Sequence, residues 1–194
     1  MKMKKILFLG NSFTYFYDLP CQVEALGGGE LVCHSITRGG AYLNAYMTES
    51  DELTVKLGEM LRENEYDFVV LQEQSLNAVV NFHDYLGSVK HIKSLVGKAK
   101  TVIYQTWSYK DGSPLLDSTG LTFCEMTDSL EKAAKIAAGE IDADVVSVGR
   151  AFADSISEHP EIQLYDEDCL HPSEAGSALA AKLFAEYFLD YIQE

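Results

Sequence analysis

Five short runs of apolar and β-branched residues, separated by helical patterns, constrain the fold of this 194-residue chain more than any other feature. Each run has the length of a strand that is buried on both faces. Between the runs, apolar residues recur at spacings of three and four, which is typical of amphipathic helices. Strands that alternate with helices predict a parallel sheet with right-handed crossovers. The predicted strands are Lys5–Leu9, Leu31–Ile36, Phe68–Leu71, Thr101–Tyr104 and Asp144–Val148.

The predicted fold class is therefore α/β, a three-layer α/β/α sandwich with helices on both faces of the sheet. No internal repeat or linker interrupts the pattern, so we expect a single domain over residues 1–194. The segment from Trp107 to Gly120 is rich in turn-forming residues and predicts a long loop near a site. The predicted helices are one that opens near Pro20, three over Asp51–Glu63, Tyr85–Lys98 and Thr122–Ala138, and one after Pro172.

The charge balance limits the partners of this chain. With 30 acidic and 15 basic side chains, its formal net charge is −15. Nucleic acids and anionic membrane surfaces would be repelled, and the favourable release of counterions that drives binding to nucleic acid would be missing. We therefore expect a small-molecule partner, with neither nucleic acid nor membrane.

The amino-terminal segment resembles a signal peptide, but its apolar run ends at Gly10 and is shorter than the roughly 7–15 residues such a region needs. We interpret it as the first strand and expect a cytoplasmic protein. Four cysteines lie far apart without a CxxC pair, which predicts buried, reduced thiols and no zinc cluster. Four of the five histidines share no spacing typical of metal ligands, so we predict no metal and no cofactor. They are His34, His83, His91 and His159.

Residues that directly follow the strands are the candidates for a site, because ligands of parallel sheets bind at the carboxyl ends of the strands. Gly10 allows a tight turn after the first strand that presents Ser12, either as a helix cap or as a nucleophile. Near the other end of the chain, His171 follows Asp168 by three residues, just ahead of a helix. That spacing lets the carboxylate hold the imidazole while its other nitrogen accepts a proton from a hydroxyl. The alternatives are a surface histidine and a turn-forming aspartate.

Two further strand ends offer hydrogen-bond donors. Gly39 and Gly40 bring bare backbone amides to the end of the second strand, which a plain turn would also explain. After the third strand, Gln72 and Gln74 place two neutral amides on one side of an extended segment, where they would surround an oxyanion. Simple solvation of the chain as it leaves the core is the alternative.

Taken together, the motif Gly10-Asn11-Ser12, the glycine and amide after the next two strands, and Asp168-x-x-His171-Pro172 resemble the SGNH (GDSL-like) hydrolase superfamily. The resemblance covers the whole chain and implies a flavodoxin-like sheet of order 2-1-3-4-5. It also implies that Ser12 is the nucleophile, His171 the base and Asp168 the acid that orients it.

The same resemblance implies an oxyanion hole formed by the N–H groups of Ser12 and Gly40, with Gly39 as the alternative to Gly40. The glycine and asparagine of the family's third block are replaced here by Gln72-Glu73-Gln74. Gln74 stands where the family asparagine would donate, and glutamine has the same NH₂ group one methylene further out. Gln72 is the alternative donor.

Asn11, Trp107 and Tyr109 are candidate substrate-binding residues. The two aromatic residues follow the fourth strand, where they would either stack on an acyl group or a sugar face, or pack in the core. The function expected is hydrolysis of small acyl esters through an acyl-enzyme, with carbohydrate O-acetylesterase activity suggested by the resemblance. The alternative is a flavodoxin-like module that binds phosphate or a nucleotide at the turn after the first strand, without catalysis. It leaves Asp168 and His171 unexplained.

Overall fold

The computed structural model describes residues 3–193 and contains a five-stranded parallel sheet of order β2-β1-β3-β4-β5. The predicted fold class and strand order are therefore confirmed. Met1, Lys2 and Glu194 lie outside the described residues. The strands are β1 (Lys4–Gly10), β2 (Leu31–Thr37), β3 (Phe68–Leu71), β4 (Lys100–Tyr104) and β5 (Asp144–Val146).

Helices follow every strand, as the crossovers of a parallel sheet require. They are α1 (Ser12–Tyr15), α2 (Leu19–Leu26), α3 (Glu52–Glu63), α4 (Asn77–Val80), α5 (Phe82–Leu95), α6 (Pro114–Asp117), α7 (Phe123–Ile141), α8 (Val148–Glu158) and α9 (Glu174–Gln193). Two 3₁₀ turns lie at Phe16–Asp18 and Leu43–Tyr46. No helix within residues 3–193 is both long and apolar enough to cross a membrane.

Alternate residues of the strands pack into two separate apolar layers, because successive side chains of a strand point to opposite faces. On one face, Leu7 and Leu9 of β1 pack with α3, α5 and α7. On the other face, Ile6 and Phe8 pack with α2, α8 and α9. The sheet is thus covered on both faces, which is why its strands are nearly continuous apolar runs.

The sheet register brings the strand ends to one edge. Gly10 of β1 is aligned with Thr37 of β2, and Leu9 is aligned with Leu71 at the end of β3. The segments that carry the predicted site residues therefore leave the sheet side by side, although they are far apart in sequence.

Several details differ from the sequence-based expectation. β5 ends at Val146 rather than Val148, because Val148 begins α8, a helix that we did not predict. The segment predicted as a continuous loop contains the short helix α6. The prediction of buried thiols is wrong, since Cys21 and Cys124 are exposed, while Cys33 and Cys169 are partly exposed.

Candidate active site

Three predicted residues from opposite ends of the chain form one continuous set of hydrogen bonds. The Oγ atom of Ser12, the first residue of α1, lies 2.7 Å from Nε2 of His171. The Nδ1 atom of the same imidazole lies 2.5 Å from Oδ2 of Asp168. The order hydroxyl, imidazole, carboxylate is the arrangement that activates a serine nucleophile.

The carboxylate of Asp168 is held by its own loop. Its Oδ1 atom accepts hydrogen bonds from the N–H groups of Leu170 (3.0 Å) and His171 (2.9 Å). Partial burial raises the pKa of Asp168, but the hydrogen bonds from the side chain and backbone of His171 outweigh it, so the net pKa lies below its ordinary value. The residue is therefore ionised at neutral pH and is an acceptor on both oxygens.

Aromatic side chains and a hydrogen bond fix the position of the imidazole. The ring of Phe16 stacks on His171 with centroids 4.2 Å apart and planes at 8°, while Phe13 meets the imidazole edge at 5.7 Å. The indole N–H of Trp107 donates to the carbonyl of Leu170 at 3.0 Å, next to the histidine. The imidazole thus has one orientation set by packing, which is the kind of fixed geometry that a catalytic group requires.

The turn that presents Ser12 is hydrogen-bonded to Gln72, the residue that follows β3. The buried Oε1 atom of Gln72 accepts hydrogen bonds from the Asn11 N–H (2.8 Å) and from the Thr14 hydroxyl (3.0 Å). A Cβ atom on Gly10 would lie 2.4 Å from that same Oε1. Only glycine therefore fits at the end of β1, because a side chain would displace the group that holds the turn.

The predicted backbone donors, the N–H groups of Ser12 and Gly40, belong to the turn after β1 and to the segment after β2. The Ser12 N–H stands at the first position of α1, where a helix offers no internal acceptor. The Arg38–Ala41 turn closes through a 3.0 Å hydrogen bond between its ends, with Gly40 at a φ of 67° that glycine adopts readily. The Asn11 side chain donates to the carbonyl of Ala41 at 2.9 Å and links this turn to the one that carries Ser12.

Gln72 and Gln74 have different environments, which the sequence did not reveal. Gln72 is fully buried, and its NH₂ group donates to the carbonyl of Glu73 at 2.7 Å. Gln74 is partly exposed, and its side-chain amide makes no hydrogen bond within residues 3–193. Gln74 is therefore the glutamine whose side-chain NH₂ group is available to donate a hydrogen bond. Its role, like that of Gly40, stays a prediction.

The three predicted substrate-binding residues lie in or beside the core. Asn11 is buried, and its Oδ1 atom caps α1 by accepting from the Phe13 N–H at 3.1 Å. Trp107 is 1% exposed, with its ring between Phe13 and Phe152. Tyr109 is also buried. Trp107 therefore packs in the core and positions the loop that carries His171. Its ring is not open for a substrate to stack on.

Sequence reasoning did not select Phe16 or Glu73 as site residues. Phe16 follows Ser12 by four residues, but its role depends on contact with His171 on the loop before α9, which no local pattern predicts. Glu73 lies between the two glutamines, with its carboxylate only 4% exposed. A glutamate two residues after a strand is expected at the surface, so its burial had no signal in the sequence.

Comparison with solved structures shows this architecture elsewhere. A candidate SGNH hydrolase from Slackia heliotrinireducens is 31% identical in sequence, with a TM-score of 0.86, over 96% of this chain and 100% of that chain. The acetyl xylan esterase AlAXEase is 14% identical, with a TM-score of 0.67, over 94% of this chain and 98% of the esterase.

An inhibitor-bound aryl esterase from M. smegmatis is 13% identical, with a TM-score of 0.67, over 96% of this chain and 99% of that chain. At such identities, the likeness to the two esterases concerns the fold. No family model matches the sequence, and no curated protein matches it either.

Proposed function

Because the chain belongs to the SGNH hydrolase superfamily, we propose that it is a serine esterase that hydrolyses small acyl esters through a covalent acyl-enzyme. The observation that carries the proposal is the unbroken set of hydrogen bonds from Ser12 through His171 to Asp168. A hydroxyl that is hydrogen-bonded to an unprotonated imidazole nitrogen is an activated nucleophile, because that nitrogen takes the proton as the oxygen attacks.

The reaction has two halves. In the first, Oγ of Ser12 attacks the ester carbonyl carbon while its proton moves to Nε2 of His171, and Asp168 stabilises the imidazolium. Collapse of the tetrahedral intermediate breaks the bond to the alkoxy oxygen, which leaves with the proton from His171. In the second half, water loses a proton to His171 and attacks the acyl carbon, which releases the carboxylic acid and restores Ser12.

The negative oxygen of each tetrahedral intermediate needs donors that are already in place. In this proposal, the N–H groups of Ser12 and Gly40 and the side-chain amide of Gln74 supply them. All three are neutral, so they favour the developing charge of the transition state without requiring a charged substrate.

Three exposed tyrosines near these elements support a substrate with a flat apolar face, such as an acetylated carbohydrate. Tyr15 and Tyr17 follow Ser12 within the same turn of chain and are 43% and 46% exposed, and Tyr42, which follows Gly40, is 45% exposed. The Tyr15 hydroxyl lies 3.1 Å from the position of a Cβ on Gly39. Exposed aromatic rings on these segments offer flat apolar faces on which a ring-shaped substrate can stack.

A fluorophosphonate probe and a single substitution test the proposal. We expect Ser12→Ala to lower kcat for acetyl esters by on the order of 10⁴–10⁶ and to abolish labelling, while the fold is retained. Ser94→Ala is the matched control, because Ser94 is exposed near the end of α5 and, within residues 3–193, its hydroxyl bonds only to the carbonyl of His91 in its own helix. A Ser12→Ala protein that kept half of the wild-type rate would disprove the assignment.

The same assay separates the enzyme from a phosphate-binding module. A module of that kind would retain a bound phosphate or nucleotide through purification and would show no labelling at Ser12. Acetyl, butyryl and octanoyl esters, with acetylated sugars alongside, then define the acyl and alcohol preferences.

A further inference from the structure

Glu73 is a buried carboxylate for which the proposed reaction has no use. It is 4% exposed, and within the described residues it forms no salt bridge. Burial of a carboxylate without a cationic partner is costly unless hydrogen bonds replace the lost water. The contacts of Glu73 therefore indicate what the residue does.

Both oxygens of Glu73 accept backbone hydrogen bonds from segments next to the site. Oε1 accepts from the Gln74 N–H at 2.6 Å, and Oε2 accepts from the Leu43 N–H at 3.2 Å. Leu43 lies three residues after Gly40 on the segment that follows β2, whereas Gln74 follows β3. One carboxylate thus joins the two segments that flank the end of β1, where Ser12 emerges.

Among the described residues, the groups that interact with Glu73 are uncharged at neutral pH. The side-chain amide of Asn77 from α4 hydrogen-bonds to it, and its charge acts on the phenols of Tyr46, from the 3₁₀ turn after β2, and Tyr85 of α5. Burial raises the pKa of Glu73 to about 7, although the hydrogen bonds from Gln74, Leu43 and Asn77 oppose that shift. The carboxyl group therefore changes its charge within the range where such an enzyme operates.

We propose that Glu73 is a positioning residue of the oxyanion hole, whose ionised carboxylate holds the Gly40 and Gln74 segments at a fixed separation. The inference rests on the proposed function of Ser12, since it concerns the donors that stabilise the intermediate formed there. Glu73 itself has no contact with the reacting atoms and acts through these two segments.

Protonation removes one of the two attachments. An ionised carboxylate accepts at both oxygens, but a protonated one carries an O–H that opposes one of the N–H groups. As the pH falls through about 7, one segment is released and the hole loses its fixed geometry. The loss concerns the transition state, so kcat decreases while KM changes little.

Glu73→Gln reproduces the protonated state at every pH and provides the test. We measure kcat and KM of wild type and variant with a neutral acetyl ester from about pH 5.5 to about pH 8.5. The expected ratio of wild-type to variant kcat is about 10 at the alkaline end, below the 10²–10³ of a missing donor, and approaches 1 at the acid end. Steps of the reaction that Glu73 does not influence are common to both proteins and cancel in the ratio.

A ratio that is independent of pH would overturn the inference, because a merely structural residue would give one. Fluorophosphonate labelling of both proteins distinguishes failure of the Glu73 inference from failure of the esterase assignment. A wild-type protein that is not labelled refutes the esterase assignment. Labelled proteins with a constant kcat ratio refute only the role of Glu73. If Glu73→Gln does not fold, Glu73→Asp keeps the charge but is too short to reach both N–H groups. We expect its kcat to fall about 10-fold at alkaline pH with little change in KM, and an unchanged kcat would overturn the inference.

Discussion

Three consecutive residues after β3 have three different environments. Gln72 is fully buried and accepts a hydrogen bond from the turn that carries Ser12. Glu73 joins the segments after β2 and β3, and the side-chain amide of Gln74 has no hydrogen-bond partner among the described residues. The period of two in an extended segment places the glutamines on one side. It does not reveal which glutamine is enclosed, because the enclosing group is the turn at Asn11, 61 residues earlier in the chain.

We expect Gln74→Ala to lower kcat by about 10²–10³ with little change in KM or in the free energy of unfolding, because an oxyanion donor acts in the transition state. Gln72→Ala is the comparison. It leaves the buried Asn11 N–H without an acceptor, so we expect a loss of about 1–3 kcal/mol of stability measured by urea unfolding. Normal kcat in Gln74→Ala together with a stable but slow Gln72→Ala would place the donor at Gln72.

Much of the site was nevertheless predictable at this scale. Ser12, Asp168 and His171 were selected from residue type and spacing, and the structure brings them together. Phe16 and Trp107 were not given their roles, since both depend on how the loop before α9 lies against the turn after β1. Contacts between segments so far apart leave no local signal in a single sequence.

Among the helices, α7 has the clearest start signal. The hydroxyl of Thr122 accepts from the Glu125 N–H at 3.2 Å, and the Glu125 carboxylate accepts from the Thr122 N–H at 2.8 Å. This reciprocal pair satisfies two donors that a helix end leaves open. The Glu125 carboxylate accepts from both the N–H and the hydroxyl of Thr122, and these two hydrogen bonds lower the pKa of Glu125, so the carboxylate is ionised at neutral pH.

Thr122→Ala removes this cap, and we expect it to lower the free energy of unfolding by about 0.5–2 kcal/mol, with kcat unchanged for the folded protein. Urea denaturation followed by circular dichroism measures the effect. Ser129→Ala lies within the same helix and its hydroxyl forms no hydrogen bond in the described part of the chain, so it controls for the change of residue type. Equal effects of the two substitutions would contradict a capping role.

Elements with strong local signals were predicted well, and those set by packing were not. The five strands were found because each is an apolar run, and α7 because its apolar residues recur at spacings of three and four. α8 was missed although Val148, Phe152 and Ile156 repeat every four residues and Ser147 stands at its N-cap position, because its first residue continues the apolar pattern of β5. Where an apolar strand passes almost directly into a helix, the hydrophobic pattern alone does not mark the boundary.

For the whole molecule, the net charge of −15 acts on any charged substrate. Asp166 and Glu167 lie on the same loop as Asp168, and Glu167 is exposed, so the field is negative near the site as well. Approach of an anion is slowed by this field, whereas a neutral ester does not experience it.

We therefore expect a hemisuccinate ester to be hydrolysed with a kcat/KM on the order of 10-fold below that of the acetate of the same alcohol. The difference should narrow between low salt and about 0.5 M salt, because counterions screen the field. Glu167→Gln should narrow it further at low salt, and Glu59→Gln on α3 serves as the control. A difference that salt leaves unchanged would mean that acyl shape, not charge, controls the preference.

Trp107 gives the molecule a built-in optical reporter. It is the only tryptophan in a sequence with eleven tyrosines, and its indole stacks on Phe13, the residue next to Ser12, at 4.7 Å. The indole N–H is bonded to the carbonyl that precedes His171. Selective excitation of tryptophan therefore gives fluorescence from one side chain, which contacts both the turn that carries Ser12 and the loop that carries His171. Acylation of Ser12 or displacement of the histidine loop will change the emission of the unlabelled protein, so single turnovers can be followed by stopped-flow fluorescence with substrates that have no chromophore.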